Sequence, residues 1–454
     1  MSRTFAHRAT CPRRAVIAVN LFWSSVVVLL ATPCRSESSA DAAPQVPQTQ
    51  LPAPESSAIQ VATPQIGSSR WFNPATAPFL PIPEIAVDPD SGTTLGFLAV
   101  RLETDAHHEI NRIIAPDFLH NPYFGYGAHA RIYSYPSADE QWSAIAGVQQ
   151  HVEREFLAGY EIGRLREQRW SFNSTLIYSR SGTPRFFGVG NQSPASAETN
   201  YTSETEQLQG QVGLNLNHTW QLLFTAREQV VDVLPGTLAR IATLESRFGP
   251  ILGVGTNHDL LTRLSIVYDT RNDFTVPTQG MKWVAYAGLA SGSGVFNDSQ
   301  NSEAGLDGRF FWPVAARTVV AAHIALRYLP TAHRLPFWAL SGIGGSESEI
   351  GGEQPLRGFG KGRYYDRDSF STTVEVRRTV ASFNAVATHV DVEMAPFVDL
   401  GRVFAQSSTW PIAQLHRVIG LGFRGIARPF VVGYVDIGYG SEGVAAFTGI
   451  NYPF

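Results

Sequence analysis

The sequence predicts an all-β protein, a sixteen-stranded antiparallel transmembrane β-barrel with one long loop folded into its lumen. The final stretch carries the first reason. Val444, Ala446, Thr448, Ile450, Tyr452 and Phe454 share one face of a strand, and Ala445, Phe447, Gly449 and Asn451 share the other, because successive side chains of a strand point to opposite sides. One face is apolar and ends in two aromatics; the other is small or polar, which suits lipid outside and a wet lumen inside. Composition is the second reason. Charged residues make up 16%, below the ~25% usual for soluble domains. Mean hydropathy is −0.07, as expected where half of every strand faces water. Third, no apolar run after residue 31 is long enough for a membrane helix. A chain that spans lipid without helices must close its sheet, because lipid cannot satisfy an open edge. The competing arrangement is a soluble β-sandwich.

From the start of the chain, Arg3, Arg8, Arg13 and Arg14 precede an apolar stretch at 15–31 that Asn20, Ser24 and Ser25 interrupt. Residues 1–37 read as a secretory signal peptide, with cleavage expected within 31–43. An uncleaved anchor is the alternative, but the run is short for a span of ~20 residues. Cys34 follows Pro33, where a lipoprotein signal wants a small unbranched residue. Cys11 and Cys34 are the only 2 cysteines, and cleavage near 40 removes both, so no disulfide is expected in the fold. Residues 38–91, rich in Pro, Ala, Ser and Gln, read as an extended periplasmic linker. Residues 92–454 read as the barrel.

Within 92–454, apolar/polar alternation recurs in seventeen runs, from 94–103 to 444–453. Bacterial barrels have even strand counts, so one run is misassigned, within 141–164 or 240–270, and sixteen strands are expected. The polar gaps 104–123, 182–203, 291–302, 329–369 and 400–415 are the expected extracellular loops. Three strands define the faces. Phe370, Thr372, Val374, Val376 and Val380, with Arg378 an exception among them, oppose Ser371, Thr373, Glu375, Arg377 and Thr379. Val392, Met394, Pro396 and Val398 oppose Asp391, Glu393, Ala395, Phe397 and Asp399. Ile419, Leu421 and Phe423 oppose Gly420, Gly422 and Arg424. Charges of both signs gather on one face. On a lipid face each would cost ~2–4 kcal/mol near the midplane, so that face is expected to be luminal.

Several motifs follow in order: FFGVGN at 186–191, YDTRND at 268–273 with PTQG at 277–280, GGEQPLRGFGKG at 351–362, FVDLG at 397–401 and GLGFR at 420–424. Together with the terminal Phe454, this set resembles the BamA/TamA superfamily of outer-membrane barrels, also called the bacterial surface antigen family, over about 92–454. The resemblance implies that Arg357, Gly358 and Phe359 are the signature of the long loop. It implies that Phe397, Asp399, Gly401, Gly420, Gly422 and Arg424 are the matching strand motifs, and that Asp269, Arg271 and Gly280 are a further family motif. Ile450, Tyr452 and Phe454 correspond to the C-terminal insertion signal. Physically, Arg357 lies among glycines that permit tight turns, and its planar guanidinium suits a carboxylate. Asp399 and Glu375 are the expected luminal partners. Asp269 and Arg271 are expected to order a turn at a membrane rim.

The resemblance implies insertion or export of proteins or other envelope components through a seam between the first and last strands. Gly449 and Pro453 would weaken that seam. The alternative is a passive narrow pore or structural barrel. The POTRA modules that such barrels usually carry are not expected in 38–91, which is short and Pro-rich. No G-x-S-x-G elbow occurs, so no lipase of that type is expected. His107, His108 and Glu109 read as solvated loop residues rather than metal ligands, and no cofactor, metal or enzymatic activity is expected. Net charge is −4, which gives no reason to expect nucleic acid. The expected partners are outer-membrane lipid, the assembly machinery for the barrel's own insertion, and a client or periplasmic protein of unspecified identity.

Overall fold

The computed structural model describes residues 80–104, 110–137, 139–274, 276–294, 299–385, 388–405, 412–427, 431–450 and 452–454. The proposed signal peptide, the linker up to residue 79, and His107, His108 and Glu109 lie outside the described residues.

Among the described residues, eighteen strands follow one another as an antiparallel meander. They are β1 Leu80–Asp88, β2 Gly92–Thr104, β3 in two pieces (Ile110–Ile114 and Asp117–Asn121), β4 Gly125–Ser137, β5 Glu140–Gln149, β6 Arg154–Ile162, β7 Trp170–Ser181, β8 Thr199–Asn215 and β9 Trp220–Pro235. They continue as β10 Gly255–Asp269, β11 Gly280–Gly294, β12 Ser299–Ala315, β13 Thr318–His333, β14 Asp368–Ala385, β15 Thr388–Phe404, β16 His416–Ala427, β17 Val431–Gly440 and β18 Gly443–Ile450. Each pairs with the next, and β1 lies beside β18, so the sheet curls into a barrel.

The even count stands, but it exceeds sixteen by two, and three local features explain the difference. Pro81 and Pro83 make β1 read as linker. β3 reads as a loop because Ala115-Pro116 breaks it; the ladder is bridged there by Ala99 N–H donating to Pro116 O at 2.9 Å and Ala115 N–H to Arg131 O at 2.8 Å. The expected strand at 240–254 is a loop with a short helix, Leu244–Phe248, capped by Thr243. Its apolar residues Ile241, Leu244, Phe248 and Ile251 recur at three and four, the helical interval, rather than at two.

The faces follow the alternation. Phe97, Phe118, Phe156, Phe224, Leu264 and Ile419 are exposed on the outside, whereas Glu303, Asp307, Glu375 and Arg424 are buried within. At one rim the connections are short, and Trp220, Tyr268, Trp283, Phe310 and Trp312 pack there in aromatic pairs, as at a membrane interface. At the other rim the segments 182–198, 236–254 and 334–367 are long. They share a core of Phe186, Tyr201, Val231, Val233, Leu244, Phe337 and Tyr365, and so cover that mouth. The expected loop at 291–302 is instead mostly strand, because β11 and β12 extend to Gly294 and from Ser299.

Candidate functional site

The segment 341–366 packs on the inward faces of β14 to β17. Ile343, Leu356, Phe359 and Tyr364 are buried against Phe397, Val403 and Val418. This contact carries Arg357 into a closed set of charges, where it is 0% exposed. Its Nε and Nη2 donate to the two oxygens of Asp399 on β15, at 2.9 and 2.7 Å, a bidentate fork. Its backbone N–H donates to Asp399 Oδ2 at 3.0 Å. Nη1 donates to Glu375 Oε1 on β14 at 2.5 Å and to Asp436 Oδ2 on β17 at 2.9 Å. The Phe397 ring lies 3.5 Å from the guanidinium carbon, close enough for a cation–π contact.

Two more arginines close the set. Arg424 on β16 donates to Glu375 Oε1 at 2.9 Å and lies 3.3 Å from Asp436 Oδ1. Arg377 Nε donates to Glu375 Oε2 at 2.8 Å. Guanidinium groups and carboxylates thus balance, which is how buried charge becomes tolerable. Burial opposes the charge on Arg357, but Asp399, Glu375 and Asp436 outweigh it and drive its pKa further up.

Glycines make room for this socket. A Cβ on Gly438 would overlap the Arg357 carbonyl, one on Gly420 would overlap the Phe397 ring, and one on Gly422 would overlap Arg424 and Asp436. On the segment itself, a Cβ on Gly358 would meet the Gly440 nitrogen at 2.8 Å; on β15, one on Gly401 would touch Ile343 of the segment at 3.4 Å. The sequence named Asp399 and Glu375 as partners but missed Asp436 and the part played by Arg377. The signal for Asp436 was present: in YVDIGYG it shares parity with Tyr434 and Gly438, the inward positions.

The remaining motifs lie at the two rims. Asp269 ends β10 at the short-turn rim, where it accepts from Arg271 Nε at 3.0 Å and Nη2 at 2.8 Å. Asn272 Oδ1 accepts from the N–H groups of Thr278 and Gln279, both at 3.0 Å. Gly280 adopts φ +97°, a left-handed value that favours glycine. At the long-loop rim, Asn191 of FFGVGN accepts from Val403 N–H at 3.0 Å. Arg363 stacks over Phe187 at 4.2 Å.

The C-terminal aromatics correct an expectation. The alternation put Tyr452 and Phe454 on the lipid face. The strand ends at Ile450, whose side chain lies outside the described residues, as does Asn451. Both rings turn inward. Tyr452 lies 3.8 Å from the Arg377 guanidinium carbon and donates to Glu393 Oε2 at 3.3 Å. Phe454 packs on Phe311 and Ala321 and stacks on His323 at 5.3 Å. The physical reason is twofold: Pro453 cannot donate to a ladder, and the inner wall offers a guanidinium and an imidazole face.

β1 and β18 are joined differently from every other neighbouring pair. Among the described residues they share no backbone ladder. Val87 N–H donates instead to a side chain, Thr448 Oγ1, at 2.7 Å.

These features define a lipid-embedded barrel with an arginine-bearing inner segment and one loosely joined seam. The family model described as the Omp85 superfamily domain matches residues 140–423, and the chain belongs to the Omp85 superfamily, outer-membrane barrels of bacteria that insert or translocate proteins. This bears out the BamA/TamA resemblance. Among solved structures, the chain is similar to BamA from Haemophilus ducreyi lacking POTRA domains 1–3, at 13% identity over 78% of this chain and 75% of that one, with a TM-score of 0.49. It is also similar to CdiB from Escherichia coli (12% identity, 82% and 62% covered, TM-score 0.46). A third is CdiB from Acinetobacter baumannii (12%, 82% and 58%, 0.39). The chain thus spans about three fifths of either CdiB chain. No curated protein matches.

Proposed function

We propose that this barrel assists the insertion or export of proteins through the seam between β1 and β18, and that it has no enzymatic activity of its own. The observation that carries the reading is the contrast between that seam and the rest of the wall. Every other pair of neighbouring strands is stitched by a backbone ladder, whereas among the described residues β1 and β18 share none and Val87 N–H turns to a side chain instead. A strand edge with unused donors and acceptors templates pairing by another chain. The inner segment held by Arg357 acts as a plug that keeps the lumen narrow. Ile450, Tyr452 and Phe454 serve the barrel's own insertion, and 38–79 is a periplasmic linker. The partners are outer-membrane lipid, the machinery that inserts this barrel, and a client polypeptide.

A disulfide across the seam tests this reading. Val87→Cys with Thr448→Cys, in a chain with Cys11→Ser and Cys34→Ser, is expected to lock the barrel in cells and to change the outer-membrane or exported protein profile until a reductant restores it. An unchanged profile with the lock fully formed would sink the proposal. A passive pore makes the opposite prediction in planar bilayers, large and steady open channels; the covered mouth and charged lumen speak for small conductance.

A further inference from the structure

The lumen keeps a second compartment beside the charge socket, at the short-turn rim. The β10–β11 turn folds inward over that mouth, and Val276 packs there on Ile426 of β16 and on Tyr452. Bonds from the turn to the Asn272 side chain hold its shape. Between this cover and the socket lies a chamber of about 420 Å³, walled by β13 to β16. No residue of β1 or β18 lines it.

Two charged side chains line the chamber with bonding capacity to spare. Arg377 is 1% exposed. Its Nε donates to Glu375 at 2.8 Å, but neither Nη1 nor Nη2 meets an acceptor among the described residues. The Tyr452 ring lies 3.8 Å from the guanidinium carbon and the Phe454 ring 4.9 Å, so the group is held in place by its faces. What remains is the outer edge of a planar fork, which suits one oxyanion. Glu393 is 6% exposed. Its Oε2 accepts from Tyr452 O–H at 3.3 Å, while Oε1 has no donor among the described residues. A buried charged group left without a partner is costly. An anion alone would be repelled by Glu393, and a cation alone would leave the fork empty. A zwitterion serves both, and brings no net charge beside a socket whose charges already balance.

We infer that this chamber binds a small zwitterion, a phosphodiester joined to a primary ammonium as in an ethanolamine headgroup, with the phosphate on Arg377 and the ammonium on Glu393. Size favours a group of this kind. The volume of about 420 Å³ falls within the ~300–1,000 Å³ of small-molecule sites, and a glycerophosphoethanolamine group fills it better than a single amino acid does. Tyr452 ties the two ends together, because its ring faces Arg377 and its hydroxyl orients Glu393. The site goes beyond the proposed function and stands without it. Two sources carry this chemistry, a free solute and an ethanolamine lipid at the rim, and the test separates them.

The test is calorimetric titration of the whole chain in phosphatidylcholine nanodiscs with glycerophosphoethanolamine, and with its two halves, glycerol phosphate and ethanolamine. The zwitterion is expected to bind saturably, and roughly tenfold more tightly than either half, the ratio that one charge-assisted bond supplies. Glu393→Gln should bring the zwitterion down to the level of glycerol phosphate. Arg377→Lys keeps the charge of the socket but loses the fork, and should weaken the zwitterion and glycerol phosphate alike, by about tenfold, while sparing ethanolamine. Thr379→Trp fills the chamber without removing a charge. It should abolish binding of all three in a barrel that still runs as the heat-resistant band, so the test survives if Arg377→Lys does not fold. In nanodiscs of phosphatidylethanolamine, a blank titration identifies the lipid headgroup as the occupant, and an unchanged one identifies the free solute. No saturable binding in phosphatidylcholine would mean that water alone fills the chamber, and would overturn the inference. Equal affinity for the zwitterion and glycerol phosphate, or undiminished binding in Thr379→Trp, would overturn it too. The seam lock in cells stands apart from all of these results, since it reads a different part of the wall.

Discussion

The wall from β14 to β17 and the seam between β1 and β18 are made of the same kind of strand, yet they are held by different means. In the wall, backbone ladders run strand to strand, and a buried set of charges centred on Arg357 ties four strands and a loop segment together. At the seam, the described residues share no backbone ladder, and Val87 N–H donates to a threonine hydroxyl instead. The difference lies in residue chemistry rather than in strand propensity. Charges that cannot leave a dry site hold the wall rigidly, while prolines on an edge remove the donors that a ladder needs. A barrel can thus keep one stretch closed and another ready to open without a hinge.

The largest expected effect breaks the wall. Arg357→Ala strands Asp399, Glu375 and Asp436 without their main cation. It should cost ~3–5 kcal/mol, read as loss of the heat-resistant folded band on electrophoresis. Arg357→Lys should rescue little, because a point charge cannot bridge three carboxylates as a planar fork does. A charge swap of Arg357 and Asp399 should also recover only part of the loss, since Glu375 and Asp436 would still face the new carboxylate. Single changes that leave heat resistance intact would remove the wall from the comparison.

Gly438→Ala is next. Its Cβ has no place beside the Arg357 carbonyl, so the segment must shift, at ~1–3 kcal/mol. The same change at Gly433, where a Cβ meets nothing within 4 Å, is the matched control and should be nearly silent. Equal effects at the two sites would mean that the socket is not tightly packed. The seam should respond in the opposite sense. Pro81→Ala with Pro83→Ala restores two donors on β1, and should stabilise the folded barrel by about 1 kcal/mol for each bond these donors make, read as a higher heat-resistance midpoint. A stabilised wall variant closes nothing, whereas a stabilised seam should also slow client traffic, which separates the two regions by function.

The wall was far more legible in the sequence than the seam. Strict alternation in 370–380, 391–399 and 416–426 exposed the inward charges, and the motif order pointed to Arg357 and its carboxylates. Asp436 is legible only from the face parity of its strand, where it falls in line with Tyr434 and Gly438. β1 was hidden by the very prolines that give its edge its character, since proline reads as linker wherever an edge cannot be assumed. β3 was hidden by the break at Ala115-Pro116. Tyr452 and Phe454 obey the alternation of β18 in sequence but not in space, because nothing local reveals that Arg377 and His323 offer rings a better seat than lipid does.

The smallest effect probes whether the two regions are coupled. Asp90 sits at the tip of the β1–β2 hairpin and accepts from Lys361 N–H at 2.7 Å, so it joins the seam to the segment that carries Arg357. Burial, with help from Asp88, pushes its carboxyl up to about 8. A folded-state value above the unfolded value of 3.8 means that the folded protein holds the extra proton. Stability therefore falls as pH rises between those two values. The heat-resistance midpoint should drop from pH 6 to pH 9, and Asp90→Asn, which cannot ionise, should flatten that drop. If the two regions are coupled through this bond, the Val87→Cys/Thr448→Cys disulfide should form more slowly at pH 9 than thiol ionisation alone dictates, and Asp90→Asn should restore the rate. If Asp90→Asn leaves both the pH slope and the trapping rate unchanged, the plug and the seam are independent parts that share a barrel.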